Sequence, residues 1–401
     1  MSLRILSIAP TSFFNDYGCH VRILEEARAL QALGHEVTVV TYFKGNDVPR
    51  LRIIRTSPTP WHANYEVGSS RHKFAFDALL GIRLLRVLAR NRFDIVHGHL
   101  HEGALLGGVL ARPWGVPVCM DYQGSLTDEM LHHGFMRADG KRERMWRVVE
   151  RIAERSTQAI FTSTIHAATT LRAAHPDRRV EALTDGVNTN EVAPNLISPS
   201  ERAQLRAQFG IGPDEHVVIF LGLLARHQGI QNLIDAAAIL KTQGHKLRWL
   251  VMGFPGIDVW KTQAQANGVT AEMIFGGRVA YLDMPRILAL GDVAAAPKLS
   301  LTEGSGKILN YMAMGLPTVA FDTPAQRELL GEYGIYAPVG DTAALANGIA
   351  TTIANAPLRA ELGQKLRTRS QQFFSWEQRA KLMVEVYEWL CRQHSSRETT
   401  K

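Results

Sequence analysis

Short apolar runs, each followed by a stretch with helical periodicity, recur along this whole chain, and that alternation restricts the fold more than any single motif does. "RILSIA" (4–9) reads as a buried strand, a loop containing Gly18 follows, and a helix at about 20–33 carries Val21, Leu24, Ala27 and Leu30 at helical spacing. "GHEVTVVTY" (34–42) supplies a turn and the next strand. The unit recurs as "FDIVHG" (93–98), a small-residue helix at 103–111 and "VPVCMDY" (116–122), then as "AIFTS" (159–163) and "RVEAL" (179–183). Such alternation predicts a parallel sheet with helices on both faces. A proline-marked break, "VAPNLISPS" (192–200), separates a second series: "HVVIFLG" (216–222), "LRWLVMG" (247–253), "AEMIFGG" (271–277), "DVAAAP" (292–297) and "PTVAF" (317–321). The chain closes on "SWEQRAKLMVEVYEWLCRQ" (375–393), a long helix with Leu382, Val386, Trp389 and Leu390 on one face, and a polar tail at 394–401 expected to fray.

The expected architecture is α/β, with two doubly wound domains at 1–195 and 196–372 and a terminal helix at 373–401. A length of 401 residues agrees, since single cores stop growing well below that size. Apolar residues make up 46% and charged ones 21%, which excludes a disordered or membrane-embedded chain, and no apolar run reaches the roughly 18 residues of a spanning helix. The start, "MSLRILSIAP", enters a strand without a secretory pattern, and Cys19, Cys119 and Cys391 are odd in number and far apart. These features point to a reducing, cytoplasmic setting. A net charge of +7 favours an anionic partner, and in the absence of any nucleic-acid motif a phosphorylated small molecule or an anionic membrane face is expected instead of nucleic acid.

A candidate anion site lies in "TEGSGKILNYMAMGLPTVAFD" (302–322). Gly304 and Gly306 allow close backbone approach, Ser305 can cap the helix that follows, and Lys307 adds a cation at an open helix N-terminus. This is not the ATPase phosphate loop: Leu301 stands where that loop needs its first glycine, and Ile308 where it needs a serine or threonine. The stretch follows the strand at 293–296, where open parallel sheets bind ligands.

"GHEVTVVT", "DIVHGH", "DGVN" (185–188), "GLLARHQGIQNLIDA" (222–236), "EGSGKILNYMAMGLPTVAFD", "APVGDTAALANGI" (337–349) and "FSWE" (374–377) occur in the order and spacing of the family-4 retaining glycosyltransferases, which the chain resembles over nearly its whole length. The resemblance implies the GT-B fold: two Rossmann-like domains facing a central cleft, with the terminal helix crossing back to the N-terminal domain. It implies a UDP- or GDP-sugar donor bound mainly by the C-terminal domain. A glycan, lipid or small-molecule acceptor would bind mainly to the N-terminal one, with anomeric configuration retained. No Asp-x-Asp pair occurs in the sequence, which fits an enzyme that uses neither metal nor cofactor. The resemblance places Gly18 near the donor phosphate and acceptor, Gly222 in the donor loop and Asn310 on the ribose; the family's first glutamate falls at Thr302, and Glu303, one residue out of step and beside the turn, is the candidate for a sugar hydroxyl. His99 is carried as an acceptor-site group; the histidine cluster His97, His99 and His101 lacks the carboxylate pattern of a metal centre.

Departures from the family pattern are informative. Its arginine just after the glycine at 222 and its lysine six positions on are here Leu223 and Gln228, and its second glutamate falls on Asn310. The diphosphate then needs other cations, and Lys307, Arg226 and Lys298 are the expected replacements, with Ser305 and Gly306 supplying hydroxyl and backbone contacts. A GT-B sugar-nucleotide epimerase and a degenerate sugar-nucleotide binder are the competing readings. The basic stretch 141–156 is read as a solvated helix because Glu143, Glu150 and Glu154 interrupt its charge, with peripheral contact to the inner membrane face as the alternative. Trp61, His62, Tyr65 and Arg71, in the connection 55–73, are candidates to cover the acceptor.

Overall fold

The apolar runs form two sheets of parallel strands in a computed structural model that describes residues 2–16, 18–59, 73–132, 140–300 and 305–398. The first sheet contains β1 (Arg4–Ala9), β2 (Glu36–Thr41), β3 (Arg52–Arg55), β4 (Ile95–His99), β5 (Val118–Tyr122), β6 (Ala159–Thr162) and β7 (Arg179–Ala182), in the order β3-β2-β1-β4-β5-β6-β7. The second contains β8 (His216–Leu221), β9 (Leu247–Met252), β10 (Met273–Gly277), β11 (Val293–Ala296), β12 (Thr318–Phe321) and β13 (Ile335–Ala337), ordered β10-β9-β8-β11-β12-β13. Helices on both faces exclude water, so the central strands are buried on both sides, and this is why they read as continuous apolar runs. Strand order reverses at β1/β4 in one sheet and at β8/β11 in the other. At such a reversal the connections leave in opposite directions and open a crevice beyond the carboxyl ends.

The chain divides into two compact units, one ending at Thr184 and regained at Trp376, the other spanning Asp185–Ser375. The first crossing comes earlier than the expected boundary at 195. The Val187 N–H donates to the Phe374 carbonyl, and Val187 and Val192 are buried with Tyr311, Met312 and Phe374 in the second unit's core. Backbone pairing and apolar burial thus both tie the proline-marked segment to the unit that follows it.

The terminal helix Trp376–Glu398 packs on the first helix, Gly18–Ala32, within the first unit. Its inward face is Ala380, Met383, Val386, Tyr387 and Leu390; Leu382 and Trp389, expected inside, are only half-buried. Each large apolar side chain buried here contributes about 1.5–3 kcal/mol, enough to hold the helix along its length. Close packing elsewhere depends on a missing side chain: a Cβ on Gly98 of β4 would stand 2.6 Å from Ala104 Cα, so the helix Leu100–Leu110 could not lie where it does over any other residue. The terminal helix runs on into the expected tail, through Glu398. Trp61, His62, Tyr65 and Arg71 lie outside the described residues.

Candidate functional site

At the β8/β11 reversal, two loops are joined before any ligand arrives. Gly222 follows β8 at φ 148°, and its N–H donates to Met252 O. The next turn, Arg226–Gln228, ends on Gly229 at φ 79°, where a Cβ would stand 1.9 Å from Pro297 O. Only glycine fits that approach, and it presses the loop against the end of β11. The Leu299 N–H donates to His227 O at 2.9 Å, completing the joint. The helix Gly306–Ala313 is fixed to the same edge by Tyr311, whose hydroxyl accepts from the Leu221 N–H at 2.8 Å.

Lys307 reaches back from this helix into the loop after β8. Its Nζ donates to Gln228 Oε1 at 3.0 Å, lies 4.0 Å from the centre of the Phe220 ring, and comes within 3.3 Å of where a Cβ on Gly222 would be. The ammonium therefore occupies the loop in which the family carries its arginine and lysine. Burial, and then repulsion from Lys298, push Lys307 well below the ordinary lysine value. Lys298 is itself buried just past β11, where its carbonyl accepts from Gln326 Nε2. Arg226 is exposed, and no side-chain partner is found for it among the described residues. Asn310 is half-buried one turn into the helix.

Two expectations change here. Ser305 does not cap its helix: its hydroxyl is buried and has no partner among the described residues. A Cβ on Gly306 would stand 3.2 Å from Asp185 Oδ2, so a carboxylate already borders this helix N-terminus, a neighbour the sequence did not suggest. Glu303 lies outside the described residues, as does Gly304.

At the β1/β4 reversal the first unit buries charge. Arg22, in the second turn of the first helix, donates from Nη2 to Asp121 Oδ1 at 2.7 Å and to Leu183 O at 2.9 Å, and its Nε lies 3.0 Å from Glu26 Oε1. Burial alone would raise Asp121; the Arg22 guanidinium and the His99 ring outweigh it and hold that carboxyl well below the usual range. His99, expected at the acceptor, is buried, with Nε2 2.9 Å from Ser7 Oγ and Nδ1 3.1 Å from Asp121 Oδ2. Both ring nitrogens are engaged within this network. Its neighbour His97 stacks on it at 4.4 Å, bonds Tyr387 Oη through Nδ1 at 2.6 Å, and is driven by burial well below the ordinary imidazole value. Glu26, His97, His99 and Asp121 offer ligand atoms within 4.8 Å of one another, yet Arg22 already supplies the positive charge between the two carboxylates. Gly18 opens the first helix and is exposed, with open space where a side chain would be. Sequence reasoning missed Arg22, Glu26 and Asp121, whose one local trace is the helical spacing of Arg22 and Glu26.

Residues 215–355 match the family described as Glycosyl transferases group 1, and residues 17–186 match the Glycosyl transferase 4-like domain. The EpsD protein of Bacillus subtilis (strain 168) is 28% identical over 319 residues, covering 76% of this chain and 79% of that protein. Among solved structures, sucrose-phosphate synthase from Thermosynechococcus elongatus aligns with TM-score 0.80 at 19% identity, covering 97% of this chain and 99% of that one. HepE of Anabaena, in complex with UDP-glucose, aligns with TM-score 0.76 at 18% identity over 96% of this chain and 99% of its own. Two matched domains in sequence, and parallel sheets shared with these enzymes end to end, lead to one conclusion: the chain is a GT-B protein and belongs to the group 1 glycosyltransferases.

Proposed function

We propose that this glycosyltransferase moves a hexosyl group from a UDP- or GDP-sugar to a hydroxyl of a glycan, lipid or small-molecule acceptor, with retention and without a metal. The observation that carries the reading is the set of polar groups left for a ligand beside the β8/β11 reversal. The Ser305 hydroxyl is buried without a partner among the described residues, Arg226 is exposed, and Lys307 is held by a neutral amide. A helix N-terminus alone contributes about 0.3–1 kcal/mol to an anion at the surface. Micromolar affinity needs about 8 kcal/mol, so side-chain cations have to supply much of the remainder. The UDP-glucose seen in HepE supports a uridine donor.

In the reaction, the bond from C1 to the diphosphate oxygen breaks while the acceptor oxygen bonds C1 from the same face. The acceptor proton passes to the departing phosphate. Lys307, Arg226 and the amides at Gly306 stabilise the negative charge that develops on that leaving group, the work a divalent cation does elsewhere.

A thermal-shift panel of nucleotides and nucleotide sugars tests the donor, since a ligand at 100 times its dissociation constant adds about 2.7 kcal/mol. Transfer from the identified sugar, with the product anomer read by NMR, then tests retention; an inverted anomer rejects it, and undiminished turnover in chelator supports metal independence. Epimerised sugar from donor alone would instead identify an epimerase, and bound nucleotide with neither hydrolysis nor transfer a binder. Ser305→Ala gives a second measurement. Removing an unpartnered buried hydroxyl should leave the free protein at least as stable, while the loss of one hydrogen bond to an anion weakens UDP binding about tenfold. Unchanged affinity by calorimetry would remove Ser305 from the site.

A further inference from the structure

The basic helix Lys141–Arg155 looks mixed in charge as a sequence, and its fold separates that mixture. Glu150 is turned inward, accepting from Ser125 Oγ at 2.8 Å, from the Thr127 N–H at 3.0 Å and from Thr127 Oγ1 at 2.7 Å. Glu154 is buried against His175 Nε2 at 2.7 Å. Glu143 is half-buried and bonded to Arg147. The residues of this helix that stay exposed are Lys141, Arg142, Arg144, Met145, Val148, Arg151, Ile152 and Arg155, among them no acid. Met145, Val148 and Ile152 recur at helical spacing as one stripe and are 54%, 51% and 52% exposed, whereas a stripe so spaced ordinarily faces a core. Phe74, 69% exposed, stacks on Trp146 of this helix at 6.2 Å, to one side of the stripe.

From this face we infer that the first unit docks on an anionic lipid bilayer, with Met145, Val148 and Ile152 entering the headgroup boundary and the flanking arginines and lysine lying among the anionic headgroups. Charge complementarity selects the occupant. A soluble acidic protein or nucleic acid would satisfy the cations but leave the apolar stripe in water, and a purely apolar partner would strand five exposed cations. A bilayer surface satisfies both in one plane. The earlier objection from three interrupting glutamates is corrected: two of them are buried, and the third is engaged with Arg147. This inference does not depend on the donor reading above.

Vesicle flotation of the full chain tests it, using phosphatidylcholine vesicles with and without about one-third phosphatidylglycerol. Binding is expected only with the anionic lipid, falling as salt rises. Each cation near the surface is worth roughly fivefold, so R144E/R151E/R155E should lose at least about 100-fold. The variant M145S/V148S/I152S should lose roughly tenfold or more on vesicles while keeping its retention on a heparin column. Circular dichroism confirms that these exposed changes leave the fold intact. Failure of the wild type to float with anionic vesicles at low salt overturns the inference, as does equal flotation of the charge-reversed variant. Undiminished flotation of the serine variant also overturns it, in favour of a general polyanion binder.

Discussion

Replacement of Lys307 by alanine is expected to weaken nucleotide-sugar binding by about 10- to 100-fold while leaving the protein folded, because a hydrogen bond to a charged group contributes about 1.5–3 kcal/mol. Alternative compensation is limited. Positions 223 and 228 carry leucine and glutamine, and the ammonium of Lys307 is the cation bonded to that glutamine at 3.0 Å. Protonation gives the prediction a second readout. In the free protein, burial and Lys298 lower Lys307 below its ordinary value; a bound pyrophosphate, an opposite charge, raises it. Between those two values the free protein has lost its proton and the complex keeps it. Binding there takes up a proton, and affinity falls by up to about tenfold per pH unit as pH rises. Below the window Lys307 is charged in both states and contributes no pH dependence. Calorimetry in two buffers of different ionisation enthalpy should show proton uptake in the wild type and its loss in Lys307→Ala. A dissociation constant that Lys307→Ala does not change would end the case for this cation.

The fold was legible where burial is two-sided. β1, β2, β8 and β9 are buried nearly throughout, and their bounds fall within a residue or two of the runs that announced them. β3 was not found: "RIIR" is an edge strand of four residues, half-buried, with an arginine at each end. β13 has three residues, too few for any periodicity to show. The residues proposed to hold the donor could be singled out because they lie within two short stretches, one of them a glycine–serine–glycine–lysine turn. Its details were not legible: Ser305 fails to cap, and Asp185, which approaches from 121 positions earlier in the chain, left no sign. The charge network around Asp121 was hidden for the same reason. Arg22, His99 and Asp121 sit on three elements, and each alone reads as a polar residue that belongs outside. Glu150 and Glu154 show the opposite error, since acids on a basic helix pass for surface charge until their partners on other elements are seen.

Replacing Arg22 with methionine should cost about 3–5 kcal/mol of stability, a large part of the 5–15 kcal/mol that holds a typical domain together. Methionine fills much of the volume but leaves Asp121 and Glu26 buried without the guanidinium that now lies within 3.0 Å of both. For a unit of this size the loss corresponds to a fall in Tm of about 6–20 °C. The sign of its pH dependence separates a lost charge from a lost contact. In the wild type the Asp121 carboxyl is held below its unfolded value, so its stabilisation is complete above the ordinary carboxylate range and disappears only in strong acid. In the variant the largest force on that carboxyl is burial, which raises it; its folded value then exceeds the unfolded one, and stability is regained as pH falls toward the unfolded value. The Tm gap between wild type and variant should therefore narrow from pH 7 to pH 5. Adding Asp121→Asn and Glu26→Gln to Arg22→Met should recover part of the loss at pH 7, because the uncompensated charges are gone. A gap that is the same at both pH values, together with no recovery in the triple variant, would mean that Arg22 acts by packing and that the buried carboxylates have found another counter-charge.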